Sequence, residues 1–274
     1  MRLNVENRLP WDIEADVLVV TVPAADALPE YLAEVDRRLG GAVRELRRVG
    51  AMQGNLWGAQ LLPAKDMGAR FVLAVGVGDG SAIDELCARR LGAVIIKRLV
   101  GLEVGSLAIH LTDELVGQGG ATQAAVVELL TRGLVEGAAD PKASYTEPKD
   151  SAPELDVVTF VVESGEPADL ASRAERGRII GEGGNRTRRL AHRSANDVSP
   201  EVLADEASDL AKANGLELTV LGSEEAEQLG MGMFMSVGKG SANSPRFIVL
   251  RNKPGVERDA SGRLLAMVGK GVTF

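Results

Sequence analysis

One cysteine, Cys87, and two histidines, His110 and His192, are all that 274 residues contain of those types. A single cysteine rules out an intrachain disulfide, and a reducing, cytoplasmic setting is expected. Two histidines exclude a multi-histidine metal centre. No run approaches the roughly 18 apolar residues that span a bilayer. The stretch from Met1 to Asp12 mixes charged and apolar residues and has no apolar signal core, so no membrane partner is expected. The formal net charge is -8 with a pI of about 5.0, which argues against generic binding to polyanions. What remains is ordinary for a water-facing globular chain: 45% hydrophobic and 26% charged residues, enough for one large domain or two smaller ones.

Strand and helix signals alternate from the start. Val17–Val22 is a β-branched run ended by Pro23, as a buried strand requires. Leu28–Val49 has a helical pattern broken at Gly40–Gly41. Phe71–Val75 is a second strand, followed by Gly76, Gly78 and Gly80. Ser81 stands where a helix cap belongs, with Asp84 three residues on, and Ile83, Leu86, Cys87, Leu91, Val94 and Ile95 follow at helical spacing. Leu107–Leu111 reads as a strand and Ala121–Leu134 as a helix of small apolar residues. The order predicts an α/β layer fold with a largely parallel sheet. Gly137–Pro153 reads as a surface loop, and Val157–Val162 as the strand that closes the first sheet.

Ala168–Leu190 is helical in pattern and strongly basic, a candidate connector between domains. Ser199–Pro200 opens a further helix, Ser as cap and Pro in the first turn, with Gly215 as its stop. Leu216–Leu221, Phe247–Leu250 and Leu264–Val268 are expected strands of a second sheet. Only a Gly-rich turn follows the last of them, so the second piece reads as half a domain.

That turn is Gly269-Lys270-Gly271. Glycines permit close approach to a ligand, and the carboxyl ends of strands in open α/β sheets are where sites collect. A solvated lysine in a plain turn satisfies the same composition. The string Val268-Gly269-Lys270-Gly271-Val272-Thr273-Phe274 resembles the signature of the cytosolic leucyl aminopeptidase family, peptidase family M17. Gly230–Ser241, Pro245–Leu250 and Asn196–Pro200 with Leu203-Ala204 are similar to further family segments in the same order, and Phe71–Gly78 to its N-terminal domain.

The resemblance implies a macrodomain-like α/β domain over residues 1–165, a connecting helix over 166–195, and a truncated α/β catalytic domain over 196–274. It implies two divalent ions, Mn2+ or Zn2+, with Lys270 as one ligand. It implies peptide substrates with a free amino terminus, leucine-like residues preferred, and a homohexamer. A lysine amine coordinates only when neutral, a form that burial and a nearby dication favour. The remaining ligands in the family are carboxylates placed beyond Phe274, as are the second catalytic lysine and the arginine. A bridged pair about 3.5–4 Å apart needs several carboxylates, so these 274 residues alone are expected to be inactive. The sequence departs from the family at His192 and Ser194, where Asn and Pro are usual.

Other motifs carry other readings. Ile179-Ile180-Gly181-Glu182-Gly183-Gly184, within seven arginines from Arg173 to Arg193, resembles the GXXG loop of KH modules that grip RNA. A basic connector helix with paired arginines accounts for the same residues. Gly76-Val77-Gly78-Asp79-Gly80 hints at a dinucleotide loop with the wrong spacing, and a tight turn is the simpler reading. Gly238-Lys239-Gly240-Ser241 evokes a phosphate loop but reads as a structural turn. Met231, Met233 and Met235 are read as core or pocket lining, His110 as a satisfied edge residue, and Cys87 as a small core residue.

Overall fold

The computed structural model describes residues 1–79, 84–112, 115, 122–139, 151–162, 167–252 and 265–271. The chain forms two compact units, Met1–Arg188 and Arg189–Phe274.

The first unit is built on six strands. They are β1 (Arg2–Asn7), β2 (Ala15–Pro23), β3 (Ala59–Pro63), β4 (Ala69–Gly78), β5 (Ser106–His110) and β6 (Val157–Val162), in the spatial order β1-β6-β5-β2-β4-β3. Every pairing is parallel except β3 with β4. The continuous apolar runs of β2 and β4 place them in the interior, where both faces need cover. Val17, Val19, Leu73 and Val75 face α3 (Glu85–Arg98) and α4 (Gln123–Ala138). Leu18, Val20, Val72 and Ala74 face α1 (Glu30–Arg38) and α2 (Ala42–Arg48). The α1–α2 break falls at Gly40 and Gly41, whose φ values of 67° and 86° suit only glycine at no cost.

β1 and β3 carry weak sequence signals. In β1, apolar Leu3 and Val5 alternate with polar neighbours, the pattern of an edge strand. β1 lies outside β6, so Val157–Val162 does not close the sheet as expected. The expected cap Ser81 lies outside the described residues, as do Ile83, Ala121 and most of the Gly137–Pro153 loop. The described cap of α3 is Asp84, whose carboxylate accepts from the Cys87 amide at 2.7 Å.

α5 (Pro167–His192) is one unbroken helix of 26 residues. Its first half packs on the α3–α4 side, where Leu170 and Ala174 join the core.

In the second unit, α6 (Pro200–Asn214) is capped by the Ser199 hydroxyl, which accepts from the Val202 amide, and stops at Gly215 with φ 65°. β7 (Glu217–Leu221), α7 (Ser223–Gln228), α8 (Gly232–Gly238) and β8 (Phe247–Arg251) follow. β7 and β8 form an antiparallel pair. The expected third strand, Leu264–Val268, is not formed: Leu264 lies outside the described residues, and 265–268 are irregular. Leu265, Met267 and Val268 are 86%, 85% and 97% exposed. Apolar residues alone do not make a strand; the backbone needs a neighbouring strand to pair with, and β8 does not take this segment as its neighbour.

Candidate functional site

Lys270 lies in the irregular segment 265–271 and is exposed. Neither flanking glycine adopts a left-handed backbone; Gly269 faces open space, and a Cβ at Gly271 would stand 3.4 Å from Leu203 Cδ1 of α6. Val272, Thr273 and Phe274 lie outside the described residues. Among the described residues no group of three or more His, Cys, Asp or Glu side chains could hold a metal ion. The donors on hand thus do not fit a pair of divalent ions: one exposed lysine nitrogen supplies neither the carboxylates nor the enclosure that two cations in close proximity require.

The glycine motifs resolve into packing. Gly76 and Gly78 belong to β4, and their amides donate to Gly58 O at 2.7 Å and Gly54 O at 2.8 Å. A Cβ on Gly76 would sit 2.0 Å from Asn55 O. These amides are committed to the neighbouring loop and cannot cradle a pyrophosphate; Gly80 lies outside the described residues. Gly238 ends α8 and Lys239 caps its carboxyl end. That end presents carbonyls, the wrong polarity for an anion.

The KH reading fails on geometry. Residues 179–184 are helical throughout, so there is no loop to grip a nucleic-acid backbone. The arginines are largely paired. Arg173 and Arg176 each reach Glu128 at 3.3 Å, Arg178 binds Glu175 and Glu182 at 2.5 Å, and Arg193 binds Asp197 at 2.6 Å. The glycines of the motif have a packing role instead: Cβ atoms at Gly177 and Gly181 would meet Glu128 O at 2.1 Å and Val135 at 2.9 Å, on α4.

Of the methionines, Met235 is buried, while Met233 is 89% exposed. Met231 and Met235 border a cavity of about 230 Å³ together with Glu227, Ser236 and Lys239. His110 is buried on β5, an interior strand, and so is not an edge residue; its ring meets Tyr31 edge-on with centroids 5.1 Å apart. Cys87 is half-buried against the core. Burial pushes its thiol pKa up, and Asp84 adds to the shift. His192 ends α5, and the Ser194 carbonyl accepts from the amides of Asp197 and Val198 in the turn that follows.

Two polar features had no place in the sequence reading. At the carboxyl ends of β2 and β5, the Thr21 hydroxyl is 2.9 Å from Tyr31 Oη and 3.0 Å from Thr112 Oγ1. A threonine inside the apolar run of β2 was the available signal. The second is a cavity of about 320 Å³ lined by Glu6, Arg8, Ile13, Glu14 and Thr159, which no local pattern announces because its walls come from distant segments.

Comparison with known proteins covers both units. The model of the cytosol aminopeptidase family N-terminal domain matches residues 19–139, and that of the family's catalytic domain matches residues 185–274. A probable cytosol aminopeptidase of Solibacter usitatus is 33% identical over 275 residues, covering 100% of this chain and 52% of the relative. One from Pseudomonas fluorescens is 30% identical over 279 residues, covering 100% and 54%. The chain spans about half the length of the curated relatives it matches. Among solved structures, a lysine-to-glutamate mutant of tomato leucine aminopeptidase has a TM-score of 0.77 at 21% identity, over 94% of this chain and 52% of its own. The bottromycin maturation enzyme BotP in complex with Mn has a TM-score of 0.66 at 23% identity, over 88% and 46%. These two share the fold. With its N-terminal and catalytic family models matched in order, the chain belongs to the cytosol aminopeptidase family, M17.

Proposed function

We propose that these residues form part of a metal-dependent aminopeptidase that removes amino-terminal residues, leucine-like ones by preference, from peptides with a free amino terminus. The observation that carries this reading is the match of both family models in order along the chain, the second running through Lys270. In this reading residues 1–165 form the N-terminal domain, 166–195 the connecting helix and 196–274 part of the catalytic domain.

Lys270 supplies one nitrogen donor to a pair of divalent ions, Mn2+ or Zn2+; BotP, which shares the fold, was solved in complex with Mn. Among the described residues no carboxylates are gathered to complete such a site, and without them no turnover is expected. A homohexamer and a cytoplasmic setting belong to the same reading. The names of the relatives and the single cysteine support the setting, and no described helix is long and apolar enough to cross a membrane.

The test is leucine release from a leucyl amide in Mn2+. The 274-residue chain alone is expected to give none. The chain joined to the remainder of the Solibacter usitatus relative is expected to release leucine and to assemble as a hexamer on gel filtration. A folded, hexameric fusion without turnover would refute the reading.

A further inference from the structure

We draw no further inference here: the strongest candidate, the exposed apolar surface that Met233 and Val237 of α8 and Phe247 and Leu250 of β8 present in the second unit, has nothing in the structure to show what covers it.

Discussion

Gly133 and Gly183 are both helical glycines, yet alanine should act on them in opposite directions. A Cβ at Gly133 of α4 would lie 1.9 Å from the Arg89 carbonyl of α3, and one at Gly92 2.2 Å from the Leu130 carbonyl. The two helices cross backbone to backbone and have no room for a methyl group. Gly133→Ala is expected to destabilise the chain by about 1–3 kcal/mol, the usual cost of overpacking. Gly183 meets nothing within 4 Å, so Gly183→Ala should stabilise by roughly 0.5–1 kcal/mol through helix propensity alone. Urea midpoints of the two variants check both signs. Glu136 poses an electrostatic version of the same question. Its side chain is 7% exposed, and it lies 2.5 Å from Arg89 Nε and 2.9 Å from Arg132 Nε. Desolvation by burial acts to raise its pKa, but the hydrogen bonds and charges of the two arginines together outweigh it, leaving the pKa below the ordinary 4.5. A depressed folded-state pKa contributes stability that is present above the ordinary value and lost as pH falls through the folded one. Acid unfolding of the chain should therefore deepen below about pH 4.5, and Glu136→Gln should flatten that part of the profile.

Elements with a self-contained local signal were legible in the sequence, and those defined by a neighbour were not. α6 carries its own cap, Ser199, its own first-turn proline and its own stop, Gly215, and it forms between them. β2 is a β-branched run and α1–α2 break at a glycine pair, as read. α5 was legible as a helix over Ala168–Leu190; what its pattern did not show is the use of its glycines, for Gly177 and Gly181 are the small residues that let α5 approach α4. The connector reading had these arginines pair with acidic neighbours, and the acids are Glu128 of α4 and Glu175 and Glu182 of α5. The candidate site was legible only as a motif: Lys270 could be named from its glycine flanks and family likeness, but no cluster of metal-ligating side chains is found among the described residues. The strands differ in stability for a visible reason. β2, β4 and β5 are buried within a six-stranded sheet, whereas β7 and β8 form a half-exposed pair, and two-stranded sheets are marginal on their own. Native-state hydrogen exchange should show the amides of β2, β4 and β5 exchanging most slowly and those of β7 and β8 much faster. Equal protection across both sheets would contradict this ranking.

The chain as a whole pairs a well-buried α/β unit with a second unit that keeps much apolar surface in contact with water. Leu229, Met233, Val237, Phe247 and Leu250 are exposed there, together with the Leu265–Val268 segment beside Lys270. In this account Lys270 is a metal donor whose value depends on carboxylates brought to it within a larger catalytic domain, and the relatives are about twice as long as this chain. The most direct measurement is the Mn2+-dependent rate of leucine release by the fusion with the Solibacter usitatus remainder, with Lys270 intact and as Lys270→Ala. Loss of an outer partner of a metal ligand typically costs about 10–100-fold, so removal of the ligand itself should cost at least that much while the fold and the hexamer persist. A Lys270→Ala fusion that keeps its full rate and its Mn2+ dependence would contradict the account.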